Sequence, residues 1–214
     1  MGKKVNPTLF RLGPVNTWTS RWFNDKKFKD TLIEDYKLRN YLMDKLKNAG
    51  VARIEIERSI NSIKVITFVS RPGMVIGRAG TGLEDLKKAI QAFLFTNQKK
   101  GIPRLEIKVE PVKEPNLDPY LVGKNVSDQL IRRLPYKRVL GQTAERVMAS
   151  GAKGVRIALS GRIAGAEIRR HEKVQMGRVP LSTIRENIVF ASVPALTKKG
   201  YIGVKVWINK PEGK

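Results

Sequence analysis

The stretch Arg71-Pro72-Gly73-Met74-Val75-Ile76-Gly77-Arg78-Ala79-Gly80 decides the fold, because it joins a predicted strand to a predicted amphipathic helix. A β-rich apolar run over 63–69 indicates the strand, and apolar positions at helical spacing over 83–94 indicate the helix. The last four residues form a G-x-x-G turn. Glycines lack Cβ atoms, so this turn lets phosphate groups approach main-chain N–H groups, and Arg78 adds a positive charge. The stretch therefore predicts contact with a nucleic-acid backbone.

The elements predicted around this turn follow the order α-β-β-α-α-β between residues 38 and 110. This order resembles the second of the two KH topologies, whose G-x-x-G turn holds about four nucleotides of a single strand. A Walker loop needs a lysine that does not follow Gly80, and the glycine spacing is wrong for a dinucleotide fingerprint. We therefore expect an RNA cradle at Gly77, Arg78, Ala79 and Gly80.

The charge of the chain predicts a polyanionic partner. Among 214 residues, 42 Lys and Arg stand against 19 Asp and Glu, which gives a net charge of +23. Nucleic acid is the expected partner. A membrane surface is the alternative, and it is disfavoured because no basic stretch also has a strongly apolar helical face. The absence of a long apolar run and of a signal-peptide core predicts a cytosolic protein without a membrane span.

The residue types needed for catalysis are scarce. The chain has no cysteine and a single histidine, His171, so thiol nucleophiles, disulfides, zinc clusters and His-pair metal sites are excluded together. We expect no metal, no cofactor and no enzymatic activity. An enzyme acting on nucleic acid is the rival hypothesis, and sustained RNA cleavage or ATP turnover by the purified protein would revive it.

Proline, glycine and periodicity divide the chain into five segments. The predicted boundaries are an arm over 1–37, a type II KH domain over 38–110, a linker over 111–117, a second domain over 118–210 and a tail over 211–214. The second domain should be α+β, with two helices on one face of a four-stranded, mostly antiparallel sheet. In the arm, Trp18 and Trp22 are expected to pack against the KH core, with base stacking as the alternative.

A basic corner is predicted between the two helices of the second domain, within Arg132-Arg133-Leu134-Pro135-Tyr136-Lys137-Arg138. A charge run is more often a solvated face. Here no acidic neighbour offsets the four cations, which favours a nucleic-acid contact. By contrast, the acidic Glu55 and Glu57 of the KH domain alternate with core positions and are expected to be solvated.

Other cations are candidates for binding phosphate because they lie in the arm or in the most basic part of the second domain. They are Lys3, Lys4, Arg11, Arg21, Arg162, Arg169, Arg170, Arg178 and Arg185.

Several motifs resemble one family over residues 4–210. They include Lys4-Val5-Asn6-Pro7 with Arg11-Leu12-Gly13, the turn stretch, Ser160-Gly161-Arg162, Gly177-Arg178-Val179-Pro180-Leu181 and Gly203-Val204-Lys205-Val206-Trp207-Ile208. With these residues the chain resembles the bacterial type of small-subunit ribosomal protein three.

The resemblance implies a non-enzymatic protein of the head of the small ribosomal subunit. Such a protein binds rRNA, contacts head proteins ten and fourteen, and lines the path by which mRNA enters; no homo-oligomer is expected. In that family, basic residues at the corner of the second domain face mRNA and help to open its secondary structure, and these positions match Arg132, Arg133, Lys137 and Arg138. The alternative is a free KH-domain RNA-binding regulator, which would stay in soluble fractions instead of sedimenting with the small subunit.

Overall fold

The computed structural model describes residues 4–95 and 104–211, and the chain forms two compact units. One unit spans Trp18–Lys113, and the other joins the residues up to Thr17 to those from Glu114 onward. The helices and strands in chain order are α1 (Pro7–Phe10), β1 (Ser20–Arg21), α2 (Phe28–Lys45), β2 (Val51–Arg58), β3 (Ser62–Val69), α3 (Pro72–Ile76), α4 (Thr81–Phe95), β4 (Arg104–Pro111), α5 (Pro119–Ile131), α6 (Tyr136–Ala149), β5 (Gly154–Gly161), β6 (Arg170–Gly177), β7 (Ile188–Thr197) and β8 (Gly200–Asn209).

The unit of residues 18–113 has the predicted KH order of elements, which is confirmed. Its sheet has the strand order β1-β2-β3-β4, with β2 and β3 antiparallel and the two outer pairs parallel. Leu38 and Leu42 of α2 lie one turn apart and are fully buried, as is Ile90 of α4. They pack with Ile56 and Val65 of the sheet in one apolar core. The helices therefore cover one face of the sheet and leave the other face open.

Helix α2 begins ten residues before the predicted start at Leu38. Its first half turns Thr31 and Asp35 inward, and polar residues at inward positions leave no apolar period to detect. Asp35 is 0% exposed and accepts hydrogen bonds from Ser20 Oγ at 3.0 Å, Trp22 Nε1 at 2.7 Å and Arg58 Nε at 2.8 Å. This carboxylate joins the segment around β1 to α2 and β2.

The structure divides the predicted arm of residues 1–37 between the two units. Residues 4–17 pack with the C-terminal unit, whereas Ser20 and Arg21 pair with β2 as an edge strand. Trp22 is half-buried, its ring lies 5.4 Å from that of Phe28, and its indole N–H donates to Asp35 of α2, but it does not belong to the apolar core of the unit. Trp18, in contrast, is 67% exposed and does not share that packing.

The C-terminal unit has a four-stranded sheet in the order β6-β5-β8-β7, and every pair in it is antiparallel. Helices α5 and α6 contribute Val126, Leu140 and Ala144 to a core shared with the inward side chains of β5 and β8. Asp118 caps α5 by accepting hydrogen bonds from the N–H groups of Tyr120 and Leu121. The predicted α+β arrangement is therefore confirmed.

Candidate nucleic-acid interface

The G-x-x-G turn connects α3 to α4 on the surface of the first unit. Helix α3 ends at Gly77, which has a φ of 71°, and a short 3-10 helix over Arg78–Gly80 leads into α4. Gly80 has a φ of 83°, so both glycines adopt a conformation that side chains disfavour. Arg78 is exposed, and the side chain of Ala79 lies outside the described part of the structure.

The two glycines of the turn are needed for different reasons. A Cβ atom on Gly77 would lie 2.9 Å from the backbone nitrogen of Gly82, so the start of α4 leaves no room for a side chain at position 77. A Cβ atom on Gly80 would meet nothing within 4 Å. Open space at Gly80 beside an exposed Arg78 is what an approaching phosphate needs. The geometry thus gives Gly77 a packing role and leaves the Gly80 side of the turn accessible.

The four cations of the basic corner lie at the junction of α5 and α6, and all of them are exposed. They are Arg132, Arg133, Lys137 and Arg138. The connection between the helices is tight, and Arg133 adopts a φ of 63° within it. Helix α6 follows Pro135 without a side-chain cap, so its first N–H groups add partial positive charge to the corner. In the described part of the chain, none of the four cations lies in an ion pair with a carboxylate.

The open face of the KH sheet, in contrast, carries cations that are matched by carboxylates, and we call it the paired face. Arg21 contacts both Glu55 and Glu57 at 3.1 Å, and Lys108 contacts Glu110 at 2.7 Å. The remaining pairs on this face are Arg53–Glu55, Lys64–Glu57 and Arg104–Glu106. The expectation that Glu55 is solvated is wrong, because that residue is only 8% exposed and is held by two arginines. The paired face is therefore nearly neutral.

Hydrogen bonding to Glu110, together with its negative charge, raises the pKa of Lys108 on the paired face. The attraction confirms that this lysine is engaged by a neighbouring carboxylate in the folded chain. A cation engaged in this way is less available to phosphate than a cation of the basic corner.

Arg11, a predicted rRNA-binding residue, is buried, so the structure contradicts that prediction. It is 0% exposed, and burial lowers its pKa, against the opposing attraction of Glu186. Its guanidinium donates to five backbone carbonyls, those of Pro7, Pro180, Leu181, Thr183 and Glu186, at distances of 2.7 to 3.3 Å. The side chain fastens the N-terminal segment to the loop before β7, and its complete burial keeps it out of reach of phosphate.

The other predicted phosphate-binding residues differ in their surroundings. Lys3 lies outside the described residues, Lys4 is exposed, and Arg21 belongs to the paired face. The remaining five are exposed on the C-terminal unit, namely Arg162, Arg169, Arg170, Arg178 and Arg185. The backbone of Arg178 is fixed, because its N–H donates to the carbonyl of Lys153 and its own carbonyl accepts from Asn209 Nδ2. The C-terminal unit therefore displays most of the candidates.

Comparison with known proteins places both units in one family. Residues 37–117 match the family model described as KH domain, and residues 126–208 match the one described as Ribosomal protein S3, C-terminal domain. The small ribosomal subunit protein uS3 of Caldicellulosiruptor saccharolyticus is 44% identical over 211 residues, which cover 98% of this chain and 92% of the relative. The chain belongs to the uS3 family.

Two further relatives carry the same name, small ribosomal subunit protein uS3. That of Syntrophobacter fumaroxidans is 43% identical over 212 residues, or 99% of each chain. That of Thermodesulfovibrio yellowstonii is 45% identical over 212 residues, which cover 99% of this chain and 95% of the relative. The predicted family is confirmed, and the chain is a structural protein of the small ribosomal subunit, a particle built on rRNA. The uS3 family is not one of enzymes, so the prediction of a non-enzymatic protein is confirmed as well.

Among residues 4–95 and 104–211, no three His, Asp or Glu side chains gather where they could hold a metal ion. Within the same ranges, no helix is both long and apolar enough to cross a lipid bilayer.

Lys198 and Lys199 are cations that the sequence prediction missed. They lie in the turn between β7 and β8 and, with Arg133 and Arg162, line a cavity beside the basic corner. The adjacent pair of lysines was visible in the sequence. Their proximity to Arg133 was not, because it depends on how three separate segments meet in the folded unit.

Proposed function

We propose that this uS3-family protein binds rRNA in the head of the small subunit and guides incoming mRNA with its basic corner. In this proposal Arg132, Arg133, Lys137 and Arg138 contact the phosphates of the message and help the ribosome to open its secondary structure. The energy for opening comes from translocation, and the corner holds the separated strand. The protein works in the cytoplasm as part of the ribosome.

The proposal rests on one observation. In the described part of the chain, the exposed cations of the basic corner have no carboxylate partner, whereas the cations of the paired face do. When an unpaired cation binds a phosphate, the nucleic acid releases counterions, and this release favours binding. A cation held by a carboxylate must first lose that partner, so its net contribution to binding is smaller. The corner also sits on the ends of two helices packed into one core, so its cations project from a rigid base. This support favours a fixed contact with a moving strand.

The KH turn and the exposed arginines of the C-terminal unit supply the proposed rRNA contacts. Arg78 beside the open side of Gly80 suits one backbone phosphate, and Arg162, Arg169, Arg170, Arg178 and Arg185 form a second set. The proposed protein neighbours are head proteins ten and fourteen. Exposed apolar side chains of the N-terminal segment, Val5, Leu9 and Phe10, are suitable for such protein contacts.

A site-directed cross-link tests the guiding role. The chain contains no cysteine, so Lys137→Cys creates a single attachment point for a photoreactive probe. In small subunits reconstituted with mRNA, we expect this probe to label the message on the side from which it enters. A matched probe on Lys87→Cys, at an exposed lysine of α4, should not label mRNA. If the probe at position 137 labels only rRNA or protein, the proposed guiding role is wrong.

A further inference from the structure

A cavity of about 420 Å³ lies beside the basic corner and is formed by three segments of the C-terminal unit. The α5–α6 connection, the loop between β5 and β6, and the turn between β7 and β8 all contribute to it. Its volume falls within the range of about 300–1,000 Å³ that is usual for sites of small ligands.

The lining of the cavity combines apolar walls with a cationic rim. Its apolar lining includes Ile163 and Ile202, which are buried, and Leu134 and Tyr136. Four cations surround these apolar groups, and no carboxylate lines the cavity; the cations are Arg133, Arg162, Lys198 and Lys199. The ligand that complements this lining has a flat apolar part and negative charge at its edge.

Contacts between the loops fix the rim. The aliphatic chain of Lys199 lies 3.4 to 3.6 Å from the place that a Cβ atom on Gly165 would take, so the two loops touch there. Arg162 donates from Nε to the carbonyl of Ala166 at 3.0 Å, and Thr197 Oγ1 donates to the carbonyl of Gly200 at 2.7 Å. These contacts position the side chains of Arg162 and Lys199 and the turn between β7 and β8 before any ligand arrives.

Two residues with a strained backbone conformation also line the cavity. Arg133 with a φ of 63° and Ala164 with a φ of 54° are the non-glycine residues with positive φ among residues 4–95 and 104–211, and both line it. Conformations of this kind are costly for residues with a side chain and concentrate at ligand-binding sites.

We propose that this cavity receives one unstacked nucleotide of an RNA strand. The base enters between Leu134 and Tyr136 and packs against Ile163 and Ile202, and the flanking phosphates lie against the cationic rim. Single-stranded RNA is commonly held through bases that are splayed out and stacked on aromatic or guanidinium planes. The inference rests on the proposed guiding function, because Arg133 belongs both to the basic corner and to the rim. It adds that the protein holds a base as well as phosphates.

An acidic, apolar peptide is the competing occupant, and charge density argues against it. An RNA strand presents a phosphate on each side of the inserted base, which matches the cations that three separate segments contribute to the cavity. A peptide needs two acidic residues around one apolar side chain to do the same.

Methyl NMR of the purified full-length chain locates binding even when it is weak. Ile163 and Ile202 report on the cavity, and the probes are uridine 3′,5′-bisphosphate, ribose bisphosphate and inorganic phosphate. We expect the uridine bisphosphate to shift both methyl signals and to bind at least about tenfold more tightly than either probe without a base, as one stacked base contributes. Leu134→Trp fills the cavity and should abolish this preference. Leu196→Trp, at an exposed leucine outside the cavity, should preserve it.

A rim variant keeps the test valid if Leu134→Trp does not fold. Lys199→Glu reverses one rim charge and should weaken binding of the uridine bisphosphate by about tenfold. The inference is overturned if phosphate alone binds as tightly as the nucleotide, if the methyl signals do not move, or if an acidic leucine-containing peptide shifts them at a lower concentration.

Binding of single-stranded heptauridylate, measured in parallel, separates this inference from the proposed function. If the oligonucleotide binds through the basic corner without moving the methyl signals, the guiding function survives and the nucleotide cavity does not. If the oligonucleotide fails to bind at all, the guiding function itself fails.

Discussion

The guanidinium of Arg11 donates a 2.7 Å hydrogen bond to the backbone carbonyl of Thr183, 172 positions further along the chain. Four more carbonyls accept from the same side chain, so one arginine closes the loop before β7 over the N-terminal segment. Burial lowers the pKa of Arg11, while the carbonyl dipoles around its guanidinium stabilise the positive charge.

We expect Arg11→Ala to destabilise the C-terminal unit by about 3–5 kcal/mol, because five carbonyls in buried or part-buried hydrogen bonds would lose their donor. Arg11→Lys should recover little of this loss, since an ammonium has three donors and no planar fork. Hydrogen exchange of the β7 and β8 amides measures the effect. Lys4→Ala, at an exposed position of the same segment, should change stability by less than about 0.5 kcal/mol. Equal effects of the two alanine variants would contradict the anchoring role of Arg11.

Asp35→Asn should destabilise the KH unit by about 3–5 kcal/mol. The amide has no charge to balance Arg58, whose guanidinium is largely buried beside this carboxylate. In either orientation its NH₂ group would also face a donor, that of Arg58 or those of Ser20 and Trp22. We expect loss of hydrogen-exchange protection in β2 and β3, with β8 unaffected. Asp30→Asn, in the exposed first turn of the same helix, is the control and should leave β2 and β3 protected.

Arg78→Asp should weaken binding of single-stranded RNA to the KH turn by roughly tenfold, since reversal of a charge near a phosphate changes the interaction by about 2 kcal/mol before screening by salt. Filter binding or fluorescence anisotropy at fixed salt measures it. Arg104→Asp is a suitable control, because Arg104 pairs with Ser62 at the opposite end of β3, about 23 Å from the strand end that leads into the turn. If both variants bind alike, the turn is not the RNA cradle.

The salt dependence of RNA binding should distinguish matched from unmatched cations. Replacing Arg132, Arg133, Lys137 and Arg138 with alanine should make the slope of log affinity against log salt shallower by about 3, at 0.7 to 0.9 per phosphate contact. A control variant removes the same number of cations from the paired face, with Arg53, Lys64, Arg104 and Lys108 replaced by alanine. Its slope should change by less than about 1, because these cations already have carboxylate partners. Similar slopes for the two variants would show that carboxylate partners do not decide which cations contact phosphate.

The KH order and the α+β C-terminal unit were predictable because local patterns encode them. Alternation over β8 and helical spacing over α4 each bury an apolar face, and the glycines of the turn mark the break between elements. The basic corner was predictable for a similar reason, since its cations are adjacent in sequence and no acid lies among them.

The features that escaped prediction depend on contacts between distant residues. Arg11 looked like a phosphate ligand because five carbonyl partners cannot be read from a basic segment. The first half of α2 was missed because Asp35 faces inward to meet Arg58, which lies 23 positions away. The near-neutral charge of the paired face depends on ion pairs between strands, which the sequence alone does not show. The nucleotide-sized cavity needed three separate segments to meet.

The most direct measurement compares elongation by ribosomes that carry the basic-corner variant, with Arg132, Arg133, Lys137 and Arg138 all replaced by alanine. Small subunits should assemble normally, because these exposed side chains lie outside the core. We predict that elongation through a stable mRNA hairpin slows several-fold, while elongation on an unstructured message keeps its wild-type rate. Equal slowing on both messages, or no slowing on either, would contradict the proposal that the corner guides and holds the mRNA strand.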